Sequence, residues 1–237
     1  MQPRTLALII TLLPLFAINL AYIMSAGAEL VPLCIPYIEG CTSISGAARQ
    51  GEAIFLFRAS MMVNAVLLMW YWRFAQCWLD KLRSHEAVDM GKRSAQVMCW
   101  LGVVGAFFLI LYADYLGTSG SFYRFMRRYG VMFYFTFTPL AQMIMLNQLY
   151  KLRKIAPNLD INPRVLRYQL TILVLILLMG LVSLFLSYTQ GPSFERENII
   201  EWNFALLATA FFGGSVVMWE NLKFSLSIDS DRSSTRK

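Results

Sequence analysis

Three ionisable side chains stand where this 237-residue chain is otherwise almost continuously apolar. Arg58 lies inside GEAIFLFRASMMVNAVLLMWYW (51–72), Asp114 near the end of an apolar run over 94–117, and Glu201 near the start of one over 200–221. A charge at a bilayer centre costs about 2.5–3.5 kcal/mol on insertion scales, and less near the surface. At a rise of 1.5 Å per residue Arg58 would sit ~8 Å deep, where it either snorkels outward or meets an acid at its own depth. An arginine beside carboxylates can fix helix register, hold an anion, or flank an acid acting as a base. The last role is opposed by the arginine itself, which favours the charged carboxylate.

Helical spacing gives these residues an orientation. Glu201, Ala205, Thr209 and Gly213 recur at i+4, as do Gly102, Ala106, Ile110 and Asp114. Stripes of small residues mark close helix packing in membranes, so both acids are expected to face neighbouring helices. Arg58 shares its face with Met61, Met62 and Ala65. The expectation is a buried Arg–carboxylate cluster, with an ion pair that only fixes register as the structural alternative. Ser45, Arg49 and Glu52, just ahead of Arg58, complete the candidate binding set. Arg124, Arg127 and Arg128 form a second basic group, read either as a contact for phosphate headgroups or as a solvated cap.

The elements that must hold these residues are membrane helices. The chain is 57% hydrophobic, and stretches over 5–25, 53–77, 94–117, 130–150, 168–188 and 200–221 are each long enough to cross a bilayer. The fold class is therefore an all-α polytopic membrane protein: one six-helix transmembrane domain over 1–222 and a polar cytoplasmic tail over 223–237, whose end IDSDRSSTRK is expected to be disordered. With both termini cytoplasmic, fifteen of the twenty-one Lys and Arg residues fall in inner segments and five in outer ones. The positive-inside rule thus favours N-in and C-in. It also makes the net charge of +7 a topology signal and not a sign of nucleic acid. Ala26-Gly27-Ala28 resembles a signal-peptidase site, but an apolar run of about twenty residues is longer than a typical signal core, so the first span is expected to stay.

The outer loop over 26–52 contains Pro32, Pro36, Gly40 and Gly46 and reads as irregular. It holds Cys34 and Cys41, which on the oxidising side are expected to form a disulfide closing a small loop. Tryptophans 70, 72, 78, 100 and 219 fall at the inner interface and Trp202 at the outer one. The cytoplasmic loops near 78–93 and 151–166 are basic and offer a surface to a protein partner. No metal-ligand motif, P-loop or GxSxG element is present, so neither a metal nor a cofactor is expected. His85, the single histidine, lies in a cytoplasmic loop, away from the outer acids.

The run CTSISGAARQGEAIFLFRASM into the second span, and a last span beginning NIIEWNFALL and ending VVMWENLKF, resemble the FRAG/DRAM/SFK family. Its six-span members include the GPI-anchor lipid-remodelling factor and the damage-regulated autophagy modulators. In that family, positions like Ser45, Arg58 and Glu201 recur as polar landmarks. The resemblance implies a membrane protein of lipid remodelling, lipid distribution or lipid-kinase recruitment, without an established catalytic mechanism. Members often carry a histidine at the start of the fourth span; FYRFMRRYGVMF here has none, which weakens acyl transfer built on a histidine base.

The leading expectation is a non-catalytic, lipid-binding membrane factor of the plasma, bacterial inner or an endomembrane. A lipid acyl-modifying enzyme using Glu201 or Asp114 would be favoured by a Ser or His poised at the acid. A small transporter with Arg58 on its substrate would be favoured by broken helices.

Overall fold

A computed structural model describes residues 2–85, 91–159 and 161–223. It places eight helices in the order α1 (Pro3–Gly27), α2 (Pro36–Glu39), α3 (Ile44–Ala48), α4 (Ala53–His85), α5 (Lys92–Asp114), α6 (Ser121–Ile155), α7 (Pro163–Gln190) and α8 (Phe194–Met218). All but α2 and α3 are long and apolar enough to cross a membrane. The tail beyond residue 223, whose end is expected above to be disordered, and the side chain of His85 lie outside the described residues.

Successive spans alternate in direction, so the start of α1 and the end of α8 share one end of the bundle. There Arg4 Nη1 donates to Glu220 Oε1 at 2.9 Å. This is the terminal end; the opposite one, which carries Cys34 and Cys41, is the disulfide end. The spans pack as a ring: α1 against α4 and α8, α4 against α5, α5 against α6, and α7 between α6 and α8. Pro14 and Pro139 are accommodated within continuous α1 and α6. Gly130 lets α6 approach α5, since a Cβ there would lie 2.9 Å from the Tyr112 backbone nitrogen.

The terminal half is closely packed. Tyr71 is fully buried, 4.9 Å in ring centroid from both Phe212 and Trp219, and its hydroxyl shares a 2.7 Å hydrogen bond with Ser215. Trp72 fills a slot that exists because residue 102 is glycine; a Cβ there would collide with the indole. The tryptophans expected at interface depth divide by burial. Trp72, Trp202 and Trp219 are fully buried and Trp78 nearly so, while Trp70 and Trp100 are exposed. Indoles whose rings meet other rings edge-on are core, whatever their depth.

The disulfide half is looser. All the buried residues of α7 lie between Val165 and Ile176. Beyond them the helix faces outward, Leu181 at 63% and Tyr188 at 91% exposure. Only 17% of the apolar stretch of α7 is buried, against 33–50% in the other spans.

The loop over 26–52, read as irregular, carries two short helices between non-helical stretches. Cys34 and Cys41 are bonded, the loop forms α2 and α3, and Ser43 caps α3 by accepting the Gly46 N–H at 2.9 Å. The Tyr22 hydroxyl accepts the Cys34 N–H at 2.7 Å.

Candidate functional site: a charged cleft between α6 and α8

Three side chains of α8 fasten the loop. Asn198 donates to the Gly40 carbonyl, Trp202 Nε1 to that of Thr42 and Asn203 to that of Tyr37, each at 2.8 Å. Gly40 takes a positive φ of 65° and passes so near Glu195 that a Cβ would strike its carbonyl. Only glycine meets both demands at no steric cost. Ser25, on α1, adds a 2.7 Å bond to the Ala47 carbonyl.

This fastening sets α3 over Glu201, whose carboxylate receives the backbone N–H groups of Ile44 and Ser45. Those are among the donors a helix start leaves without intrahelical partners. The buried Tyr112 hydroxyl bonds to Ser45, with Glu201, Arg127 and Arg49 near enough to act on it electrostatically.

Around this point opens a cavity of about 560 Å³, lined by Ser45, Tyr112, Arg124, Arg127, Arg128, Val131, Phe135, Glu197, Ile200, Glu201 and Phe204. Its volume falls within the roughly 300–1,000 Å³ of small-molecule sites. The α6 wall is Arg124, Arg127, Arg128, Val131 and Phe135, at i, i+3, i+4, i+7 and i+11. The α8 wall is Glu197, Ile200, Glu201 and Phe204, at i, i+3, i+4 and i+7. Each is a single helix face, charged towards the disulfide end and apolar deeper in. No residue of α7 lines the cavity, so at this end the gap between α6 and α8 is left open to the side. Below it a crevice of about 40 Å³, reached past Tyr112 and Glu201, runs between Pro14, Phe57, Met61 and Leu109, with room for about one water.

Of the residues singled out from the sequence, Glu201 and Ser45 meet in this cleft. Arg49 lines an adjoining hollow with Arg124 and Arg127. The expected Arg58–carboxylate cluster does not form. Arg58 donates through Nη2 to the Leu116 carbonyl just beyond α5, and the ion pairs among the described residues are Arg4–Glu220 and Arg83–Asp80. A helix end leaves carbonyls without partners, and the guanidinium reaches one of these in place of an acid, while its buried Nε is left without a partner. Asp114, expected to face a neighbouring helix, is exposed at the end of α5, and Glu52 is exposed ahead of α4.

Sequence reasoning missed Tyr112, Glu197, Asn198 and Asn203, and left the arginines of α6 outside the acid site. The i+4 spacing of Glu197 and Glu201, and two asparagines within an apolar span, were usable signals. Nothing marked Tyr112. Among the described residues no group of three or more His, Cys, Asp and Glu gathers as a metal site would require.

Comparison with protein-family models, curated proteins and solved structures finds no match to this chain. The resemblance to the FRAG/DRAM/SFK family rests on the quoted motifs alone.

Proposed function

We propose that this integral membrane protein binds membrane phospholipids, with the headgroup in the α6–α8 cleft and the acyl chains leaving sideways into the bilayer. The observation that carries the reading is the graded cleft. Three arginines and two glutamates at its mouth give way to Val131, Phe135, Ile200 and Phe204, on the side that α7 leaves uncovered. A lipid has the same gradient, from charge to hydrocarbon. The crevice beneath is too small for an acyl chain, so the chains stay on the bilayer side. Arginine forks suit phosphate oxygens.

Two features support an orientation within this reading. The disulfide end carries few basic residues and a bonded cysteine pair, so it faces the oxidising side, and both termini are cytoplasmic. Lipid distribution or remodelling, which the family resemblance implies, would begin with such binding. Protein recruitment by the basic cytoplasmic loops is compatible with it.

Two alternatives compare less well. The spans are continuous helices, lacking the interruptions that mark many transporter sites. An acyl-modifying enzyme gains one observation, because Ser45 and Glu201 line the same cleft. However, the carboxylate is held by two backbone N–H groups, and the Ser45 hydroxyl has Ser43 and Tyr112 as partners. No base is thereby aimed at the hydroxyl, as nucleophilic catalysis requires.

The deciding experiment is native mass spectrometry of the protein purified from its own membrane, wild type beside Arg127→Gln. Co-purifying phospholipid in the wild type, lost from the folded variant, is the expected result. Its persistence in Arg127→Gln would move the site elsewhere. Release of free fatty acid from added labelled phospholipid would favour the enzyme.

A further inference from the structure

The cleft carries opposite charges on opposite walls, and the walls do not neutralise one another. The cations lie on α6, at Arg124, Arg127 and Arg128; the acids lie on α8, at Glu197 and Glu201. Among the described residues none of these arginines comes within 4.0 Å of either carboxylate. Facing walls of opposite charge that stay apart leave a place for a ligand that is itself a dipole. Resting on the phospholipid reading above, we infer that the cleft selects a headgroup bearing both a phosphodiester and a primary ammonium, of the phosphoethanolamine type.

Each wall supplies the chemistry of one pole. Guanidinium groups bind a phosphodiester through paired N–H donors. On α8, Glu201 already receives two backbone N–H groups, whereas Glu197 is exposed at the mouth and free to accept from an ammonium. The Ser45 and Tyr112 hydroxyls, between the walls, add acceptors. A primary ammonium brings three N–H donors to these oxygens; a quaternary ammonium brings none. A glycerol headgroup would satisfy the arginines through its phosphate but offer Glu197 only neutral hydroxyl donors, weaker partners for a carboxylate than an ammonium. Selectivity therefore comes from the acidic wall and affinity from the basic wall with the acyl chains.

The test uses the full-length protein in detergent, checked for helicity and monodispersity. It is titrated with phosphatidylethanolamine, phosphatidylcholine and phosphatidylglycerol of identical acyl chains, and bound lipid is counted by native mass spectrometry. Phosphatidylethanolamine should bind most tightly. Glu197→Gln should lower the preference for phosphatidylethanolamine over phosphatidylglycerol by about fivefold, the upper scale of one exposed charge contact. Arg127→Gln should weaken all three. Equal or tighter binding of phosphatidylglycerol by the wild type, or a preference that Glu197→Gln leaves unmoved, overturns the headgroup assignment while the lipid reading stands. Phosphatidylcholine binding as tightly as phosphatidylethanolamine overturns the primary-amine requirement. Soluble glycerophosphoethanolamine should compete only weakly; competition as strong as the lipid's would assign the cleft to a water-soluble zwitterion. No lipid bound by any form removes both proposals.

Discussion

The two ends of this bundle solve opposite problems. At the terminal end, α7 closes the ring and aromatic side chains fill it: Tyr71, Trp72 and Phe212 meet edge to face, and Trp219 tilts against Tyr71, with no exposed surface to spare. At the disulfide end α7 stands apart, α6 and α8 part, and charged side chains line the gap. In a bilayer, helix association draws on packing and hydrogen bonds more than on exclusion of water. The packed half therefore supplies the stability, and the open half can keep charged groups uncompensated. A cleft whose arginines and glutamates form no ion pair with one another persists because its cost is met some distance away.

The sharpest test of this division is a pair of aromatic truncations. Trp72→Ala removes a fully buried indole and should cost about 3–5 kcal/mol. Phe204→Ala, on the cleft wall, should cost less than about 1 kcal/mol because its site is already open. Unfolding by denaturing detergent, followed by tryptophan fluorescence, measures both. Equal losses would mean that the two halves are not different in kind.

Opening the Cys34–Cys41 bond comes next. A loop this short is worth about 2.5 kcal/mol on the chain-entropy model. Cys34→Ser with Cys41→Ser should increase proteolysis of the outer loop while leaving fluorescence of the terminal-end tryptophans unchanged. A change in that fluorescence would show that the halves are coupled.

Arg58→Ala should cost about 2 kcal/mol, the worth of a hydrogen bond from a charged donor. Double-mutant cycles with Glu201→Gln and with Asp114→Asn should show no interaction beyond about 0.5 kcal/mol. A larger coupling with Glu201 would restore the ion pair and join Arg58 to the cleft.

The smallest effect belongs to Arg4→Ala and Glu220→Ala. Their ion pair joins the first and last spans at 2.9 Å, but the side chains are 51% and 54% exposed. Water and salt screen such a pair to below about 1 kcal/mol. A larger loss of thermal stability would give the chain termini a part in holding the packed half.

The six spans, the disulfide and the inward placement of Glu201 were legible in the sequence because each is announced by residue type: long apolar runs, two cysteines in one loop, a charge on a stripe of small residues. Arg58 was misread because its partner is a backbone carbonyl, and a carbonyl belongs to every residue and so to no letter. Arg124, Arg127 and Arg128 were placed before the fourth span because their charge ends the hydropathy signal, although the helix itself begins at Ser121. Hydropathy was silent on α7 for a related reason. It reports that a segment avoids water, not whether helices or lipid surround it, so the most apolar span and the least buried one are the same helix.

The hydrogen bonds that fasten the outer loop have a consequence for biosynthesis. Their donors and acceptors are 158, 160 and 166 residues apart in the chain. The loop leaves the ribosome after the first span, yet Asn198, Trp202 and Asn203 arrive only with the last. Until then the carbonyls of Tyr37, Gly40 and Thr42 lack these donors, and α3 has no Glu201 to meet. Unlike the disulfide, which can close while the third span is still being made, the charged cleft is among the last parts to form. A chain cut short before residue 197 would hold five spans and lack the α8 wall of the cleft.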